Sequence, residues 1–362
     1  MKIIHCADLH LDSKLTSNLS KEQARERKNE ILRTFTRMVD YAENNEVRAI
    51  LIAGDLFDTR TISATARNLV RDTIIAHPAI DFFYLKGNHE RDGFVSKLEE
   101  IPENLKLFTD SWRAYAYGDI VISGIEFTRE NKAMVYNSLV LDHETYNIVM
   151  MHGQVTGYEN KEQGDNISLD DLKNKGIDYL ALGHLHQYQV NQLDARGIYC
   201  YSGCLEGRGF DECGEKGFVL LDIDDEKLTA TCEFVPIAHR TLYTMFVDVT
   251  GVSSTQEVAK RIERELASKN YSSKSLVKIE LVGKVDVDSE INCDYLQDMF
   301  SEYFYFEKVV DHTKLQINYS DFEKDVSLKG EFIRMVLRSD LEDEQKSEII
   351  HCGIQALSGE EI

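Results

Sequence analysis

Seven residues with metal-binding side chains follow apolar runs between residues 1 and 190: Asp8, His10, Asp55, Asn88, His152, His184 and His186. Their carboxylate, amide and imidazole groups are oxygen and nitrogen donors that divalent ions accept. A single histidine or aspartate after a strand is usually an ordinary turn residue. Five successive runs that all end in such residues are not expected from turns alone, so the pattern predicts a metal site.

The number and type of these donors indicate which ions the site would hold. Seven donors are too many for one ion, but they suit two ions about 4 Å apart that share a carboxylate, as in phosphoryl chemistry. No cysteine is among them, which disfavours a thiolate zinc site or an iron–sulfur cluster. The mixture of carboxylate, amide and imidazole favours Mn²⁺, with Fe²⁺ or Zn²⁺ as alternatives.

Five short apolar runs must position these residues. Each run forms the first part of a segment whose last part carries the candidate ligands: KIIHCADLH, VRAILIAGDLFD, IDFFYLKGNHE, YNIVMMHG and IDYLALGHLH. Helical stretches at 21–44 and 63–76 separate the first three, which is typical of buried strands in an α/β layered domain. Ligands in such folds bind beyond the carboxyl ends of the strands. We therefore predict that all five strands deliver their polar residues to one edge of the sheet.

The composition is that of a folded protein from a reducing compartment. The chain has 362 residues, 43% of them hydrophobic, enough for one large core and a smaller second domain. Its 7 cysteines form no Cys-x-x-Cys pair, no apolar run approaches the roughly 18 residues of a membrane helix, and the start does not resemble a signal peptide. We expect a soluble, cytoplasmic protein without a membrane segment.

The motifs around the seven residues, in this order along residues 1 to 190, resemble those of calcineurin-like metallophosphoesterases: Asp8-Leu9-His10, Gly54-Asp55, Gly87-Asn88-His89-Glu90, His152-Gly153 and Gly183-His184-Leu185-His186. The segments GDLFDTR, ALGHLHQYQ and YSGCLEGRGFDECGEKGFVLLDI are similar to the SbcD-type DNA repair nucleases, and ADLHLDS resembles a bacterial subgroup of them. The resemblance implies an α/β core of two packed sheets flanked by helices, a smaller α+β capping domain and a short helical C-terminus.

The resemblance also implies a role for each residue of the motifs. One metal ion would be held by Asp8, His10, Asp55 and His186. The second would be held by Asp55, Asn88, His152 and His184, so that Asp55 bridges the two ions. His89 binds no metal in the family, and it would lie beside the scissile phosphate as the acid for the leaving oxygen or as a charge stabiliser.

The pattern along the chain predicts three parts. They are a catalytic domain at 1–236, an α+β capping domain at 241–322 and a helical segment at 325–362. The family implies that the capping domain helps to position DNA, although a stability or dimer module would have the same pattern. It likewise implies that the C-terminal helices dock onto the coiled coil of an ATPase, and packing against the chain's own domain is an equal alternative.

Basic residues near the motifs are candidates for substrate binding. Lys21, Arg25, Arg33 and Arg37 recur at multiples of four and so lie along one side of a helix. The interleaved Glu22, Glu26 and Glu30 make an exposed, salt-bridged helix an equally good interpretation. Arg60 and Arg67 follow a metal motif closely. The formal net charge of −22 argues against a protein that coats nucleic acid by bulk electrostatics, but it does not exclude a local basic track or a site whose metals supply positive charge.

These observations lead to one principal hypothesis and two alternatives. The principal one is a Mn²⁺-dependent phosphodiesterase for DNA repair and recombination, an exonuclease or endonuclease, which works as a homodimer with an SbcC-like SMC-type ATPase. The first alternative is a hydrolase of small phosphodiesters or phosphoproteins. Asp58-Thr59-Arg60, where protein phosphatases typically have Asp-Arg-Gly, counts against a phosphatase. The second is an assembly subunit with little catalysis.

Overall fold

The computed structural model describes residues 1–15, 19–58, 62–87, 94–128, 131–155, 166–286, 289–316 and 325–358. Asn88, His89 and Arg60 of the predicted site lie outside these ranges. The chain divides into two compact units, Met1–Thr241 and Leu242–Ile362. None of the described helices combines the length and the apolar character that crossing a membrane would require.

The first unit is built from strands and helices that alternate along the chain. In order they are β1 (Lys2–Cys6), α1 (Lys21–Asn44), β2 (Ala49–Ala53), α2 (Ala64–Ala76), β3 (Asp81–Leu85), a 3₁₀ turn (Val95–Lys97), β4 (Leu105–Leu107), β5 (Arg113–Tyr117), β6 (Ile120–Gly124), α3 (Val135–Ser138), β7 (Tyr146–His152), β8 (Gln154–Val155), β9 (Asn166–Ile167), α4 (Leu169–Leu172), β10 (Tyr179–Gly183), β11 (Gln189–Gln192), β12 (Ile198–Tyr201), β13 (Gly217–Asp224) and β14 (Thr229–Pro236). The predicted helices at 21–44 and 63–76 are confirmed.

Twelve of the described strands form two six-stranded sheets. The orders are β14-β13-β1-β2-β3-β4 and β11-β12-β10-β7-β6-β5. Because alternate side chains of a strand point to opposite faces, β1 places Ile3 against the second sheet and Ile4 against the helices. The inter-sheet core also includes Leu51, Phe83, Ile122, Ile148 and Met150. The predicted fold, two packed sheets flanked by helices, is confirmed.

The prediction that five strands end at one edge of a single sheet is wrong in one respect. β1, β2 and β3 are parallel neighbours in the first sheet, whereas β7 and β10 are parallel neighbours in the second. The carboxyl ends of the two groups meet across the interface between the sheets, where Nδ1 of His152 at the end of β7 lies 2.9 Å from the carbonyl oxygen of Ala53 at the end of β2. The site is therefore assembled from two sheets.

Helix α1 begins at a capping box and is anchored by a buried ionic cluster. The Ser20 hydroxyl accepts from the amide of Gln23, whose side chain accepts from the Ser20 amide. Glu30 is only 2% exposed and pairs with Arg27 at 2.6 Å and with Arg240 at 2.6 Å. The expectation that Glu30 belongs to an exposed salt-bridged face is therefore wrong, while Arg25 and Arg33 do lie on the exposed face of the helix.

The second unit is a smaller α+β structure with a helical C-terminal part. Its elements are β15 (Leu242–Asp248), α5 (Thr255–Ser268), β16 (Leu276–Val282), β17 (Lys284–Asp286), α6 (Cys293–Phe300), β18 (Phe306–Asp311), β19 (Lys314–Gln316), α7 (Leu328–Leu337) and α8 (Asp343–Ser358). β15, β16 and β18 form a parallel sheet, and residues of α5 and α6 share one apolar core with it. The division of roles among 1–236, 241–322 and 325–362 stays a prediction.

Glu307 is expected to make the stability of the second unit depend on pH. It lies on β18, on the same face as the core residue Val309, is 6% exposed, and its carboxylate oxygens have no hydrogen-bond partner among the described residues. Burial raises its pKa to about 8. Because the folded pKa lies above the unfolded one, stability is complete below about pH 4.5 and falls by up to about 1.4 kcal/mol per pH unit between there and pH 8.

The test compares Glu307→Gln with wild type in urea unfolding at pH 5 and pH 8. The glutamine variant should lose less stability than wild type between the two values, because its side chain cannot ionise. Glu280→Gln is the matched control. Glu280 lies on β16, the strand next to β18, and unlike Glu307 it has a cationic partner among the described residues, Lys278, at 2.7 Å. Equal pH dependence in wild type and Glu307→Gln would refute the assignment.

Candidate metal centre

Backbone hydrogen bonds continue the sheets into the loops that carry the site. The amide of Asp8 donates to the Gly54 carbonyl at 3.1 Å, and the amide of His10 donates to the Asp55 carbonyl at 2.9 Å. In the second sheet, the Gly153 amide donates to the Gly183 carbonyl at 3.2 Å. The loops after neighbouring strands are thus held in register with each other, which fixes the side chains that project from them.

Four of the predicted ligands have backbones in the left-handed region. The φ angles are 52° at Asp8, 45° at His10, 49° at Asp55 and 110° at His184. A residue with a β-carbon is disfavoured there, at a cost of about 1–3 kcal/mol each, and such residues are concentrated at functional sites. Their clustering at the ends of three strands indicates that the loops are shaped for the site rather than for stability.

The side chains of the described ligands converge in a largely buried space. Nε2 of His10 lies 3.1 Å from Nε2 of His186. Oδ2 of Asp55 lies 3.5 Å from Nε2 of His152 and 3.9 Å from Nε2 of His10. Asp8 completes two groups of ligand atoms, each within 4.8 Å: one with His10 and His186, and one with Asp55 and His152.

Hydrogen bonds at the far side of the imidazole rings orient two of the histidines. Nδ1 of His152 lies 2.9 Å from the carbonyl oxygen of Ala53, and Nδ1 of His186 lies 2.6 Å from Oε1 of Glu212. Both partners are acceptors, so each Nδ1 carries the proton and, in the neutral ring, each Nε2 has a free lone pair. These lone pairs face the centre of the site.

The arrangement of donor atoms fits divalent cations. Nε2 of His152 is buried without a hydrogen-bond donor or acceptor among the described residues. Nε2 of His10 and Nε2 of His186 lie 3.1 Å apart, close enough for both nitrogens to bind one cation in place of the proton that they can share without it. Carboxylates of Asp8 and Asp55 supply the negative charge that such a cation requires.

His184 directly follows β10 of the second sheet and contacts the site through its backbone amide and its ring. Its backbone amide donates to both carboxylate oxygens of Asp8, at 3.0 and 2.9 Å, and its ring lies edge-on to His152 with centroids 5.7 Å apart. Burial, together with the neighbouring His152, lowers the pKa of His184, while burial raises the pKa of Asp8. The neutral imidazole that a ligand requires is therefore the favoured form of His184.

The structure brings five of the seven predicted ligands into these two groups, Asp8, His10, Asp55, His152 and His186, and places the His184 ring beside that of His152. The seventh, Asn88, and the predicted acid His89 lie outside the described residues. Among the candidate substrate-binding residues, Arg67 is half-buried on α2, and Arg25 and Arg33 are exposed on α1.

Three residues behind the ligands were not identified from the sequence. Asp58 lies with Oδ1 3.1 Å from Nδ1 of His10, Glu212 contacts His186, and Arg208 pairs with Glu212 at 2.7 Å. Burial raises the pKa of Glu212, but hydrogen bonds from His186 and Arg208 outweigh it and hold that pKa far below its usual range. Arg208 and Glu212 lie between β12 and β13 in a segment without helix or strand, so no periodic spacing in the sequence marks them as neighbours of the site.

Gly54→Ala is expected to weaken Mn²⁺ binding by about tenfold or more. Gly54 has φ +95°, and a β-carbon there would overlap the His152 imidazole ring, so the ring must leave its position. Gly118→Ala is the control, because Gly118 has φ +60° with open space around it and so carries the strain without the overlap. Equal Mn²⁺ affinities of the two variants, measured by calorimetry, would contradict the geometry.

The model of the family described as Calcineurin-like phosphoesterase matches residues 1–188, more than half of the chain. The chain belongs to the calcineurin-like phosphoesterases. This confirms the family predicted from the motifs. As a calcineurin-like phosphoesterase, the protein is a metal-dependent phosphoesterase.

Curated relatives of this phosphoesterase are distant in sequence. It is 28% identical over 295 residues to the "Uncharacterized metallophosphoesterase YhaO" of Bacillus subtilis, covering 78% of this chain and 71% of the relative. It is 24% identical to the "DNA double-strand break repair protein Mre11" of Sulfolobus acidocaldarius, covering 96% of both chains. It is 26% identical to one of the subunits of the nuclease SbcCD of Staphylococcus epidermidis, covering 66% of this chain and 70% of the relative.

Proposed function

We propose that this phosphoesterase hydrolyses phosphodiester bonds of DNA with two divalent ions, Mn²⁺ being the first candidate. The observation that carries the chemistry is the buried convergence of imidazole Nε2 atoms on the Asp55 carboxylate, 3.5 Å from His152 and 3.9 Å from His10. The choice of DNA is supported by similarity to an Mre11 protein along 96% of both chains and to a component of the nuclease SbcCD.

The proposed ligand sets follow the positions of the side chains. Asp8, His10, Asp55 and His186 would hold one ion, and Asp55, Asn88, His152 and His184 would hold the other. Asp55 faces one histidine of each set, which suits a shared ligand. When bound, the two ions supply Lewis acidity and positive charge at the phosphate.

The remaining work falls to side chains of the chain itself. Asp58 and Glu212 hold the imidazoles of His10 and His186 from behind, so that their Nε2 atoms keep their orientation. His89 would donate a proton to the leaving 3′ or 5′ oxygen, because an imidazole titrates near neutral pH. Arg25, Arg33, Arg60 and Arg67 would contact the phosphates of the DNA backbone.

The acidic composition of the chain affects how the proposed assembly would bind DNA. A formal net charge of −22 provides no bulk attraction to DNA, so an SbcC-like SMC-type ATPase partner would supply additional DNA contacts to the proposed homodimer. The same charge favours a second candidate, the hydrolysis of small phosphodiesters, which needs no extended basic surface.

The test is release of nucleotides from linear double-stranded DNA by the purified protein, with and without Mn²⁺. Mn²⁺-dependent release that is lost in Asp55→Asn would support the proposal. Hydrolysis of bis(p-nitrophenyl) phosphate without DNA cleavage, even when an SbcC-like ATPase is added, would overturn it in favour of the second candidate.

A further inference from the structure

Two of the proposed ligands are each backed by a carboxylate. Nδ1 of His10 lies 3.1 Å from Asp58 Oδ1, and Nδ1 of His186 lies 2.6 Å from Glu212 Oε1. The two rings meet at the centre of the site, where their Nε2 atoms are 3.1 Å apart. Each ring thus has a carboxylate against the nitrogen that faces away from the centre.

One guanidinium lies between the two carboxylates. Nη2 of Arg208 donates to Glu212 Oε1 at 2.7 Å, and Nη1 lies 3.5 Å from Asp58 Oδ1. Nη1 also lies 3.4 Å from the hydroxyl of Ser13, which itself bonds Asp58 at 3.1 Å. The planar fork of arginine can hold two acceptors in fixed directions, which a lysine ammonium cannot.

The backbone that carries Arg208 is fixed independently of the ligands. Glu206, two residues earlier, is 1% exposed and accepts from Arg27 at 3.1 Å and from the Thr34 hydroxyl at 2.8 Å. It also accepts from the backbone amide of Arg240 at 3.1 Å. The backbone that carries Arg208 is therefore held against α1 through Glu206.

We propose that Arg208 is a positioning residue that couples His10 and His186, by holding Asp58 and Glu212 in one network. This inference rests on the proposed function, because it concerns the ion assigned to those two histidines. Loss of Arg208 should lower the affinity for that ion by about 10- to 100-fold, the usual effect of a lost partner behind a ligand. The other ion, assigned to His152 and His184, should keep its affinity, because no contact of Arg208 with either residue is found among those described.

The experiment measures Mn²⁺ binding to the full chain by calorimetry and electron paramagnetic resonance, and the visible spectrum with Co²⁺. In Arg208→Met, one Mn²⁺ should bind about 10- to 100-fold more weakly and the other as in wild type, with an altered Co²⁺ spectrum. Arg208→Lys should restore little of the loss, and Arg208→Met combined with Glu212→Gln should lose little more than Arg208→Met alone. Arg196→Met, which removes a surface pair with Asp178 at 2.8 Å, should bind both ions normally.

The outcomes separate this inference from the function on which it rests. If His186→Ala weakens one ion while a folded Arg208→Met binds both as wild type does, the positioning role is wrong and the ligand set stands. If His186→Ala also leaves both ions unchanged, the ligand set itself is wrong. Should Arg208→Met fail to fold, Glu212→Gln, which keeps the shape of the side chain, decides the matter by the same measurement, and two ions bound normally overturn the proposal.

Discussion

Asp55→Asn is expected to lose both metal ions and to reduce phosphoesterase activity by about 10³-fold or more. Oδ2 of Asp55 lies within 4 Å of a histidine from each proposed ligand set, at 3.5 Å from His152 and 3.9 Å from His10. An asparagine of the same shape removes the negative charge that both ions share. Metal ions at such sites contribute several kcal/mol to the transition state, which corresponds to this loss of rate.

The measurement is metal content by mass spectrometry after dialysis against Mn²⁺, together with turnover of bis(p-nitrophenyl) phosphate. Asp81→Asn is the matched control. Asp81 begins β3, at the end of the strand away from the metal site, and accepts a hydrogen bond from the Tyr117 hydroxyl at 2.5 Å. It should retain both ions and most of the activity. Two ions bound in Asp55→Asn would refute the shared role.

Asp8 offers a comparison with Asp55. The family resemblance assigns Asp8 to one ion, which predicts that Asp8→Ala mainly weakens one site. Its carboxylate, however, stands in both groups of ligand atoms and accepts from the amide of His184. Metal content of Asp8→Ala beside Asp55→Asn therefore shows which carboxylate the two ions share.

His89→Ala is expected to reduce the turnover of DNA by about 10²- to 10⁴-fold while both ions stay bound. A positioned general acid contributes an effect of this size, and the alkoxide leaving group of DNA needs a proton. p-Nitrophenolate leaves without one, so bis(p-nitrophenyl) phosphate should lose much less activity. The measurement is kcat on both substrates with metal content determined in parallel.

Two results would count against this role. DNA turnover by His89→Ala at the wild-type rate would exclude His89 as the acid. Loss of a metal ion would instead make it a ligand, contrary to the family pattern. Together with Asp55→Asn, this variant distinguishes loss of metal from loss of proton transfer.

The strands and their polar ends could be predicted because the information is local. Each apolar run is short and ends in a turn with metal-binding residues, so the composition of a few neighbours is sufficient. Membership of a sheet depends instead on pairing between distant segments. β1 and β7 have the same pattern at their ends, and only the pairing of β1 with β2 and of β7 with β10 places them in different sheets.

Two contacts between distant segments, one that anchors α1 and one behind the metal site, could not be predicted for the same physical reason. Glu30 has the spacing of an exposed helical residue, but Arg240, 210 positions later, pairs with it and buries it. Glu212 reaches His186 across 26 positions, through a segment with no periodic pattern. Such contacts depend on tertiary packing rather than on local sequence.

The most direct test of the account is the anomalous diffraction of crystals grown with Mn²⁺. We predict two peaks about 3.5–4 Å apart, one beside Nε2 of His10 and His186 and one beside Nε2 of His152, with the Asp55 carboxylate between them. A single peak, or peaks away from these residues, would contradict the two-metal site.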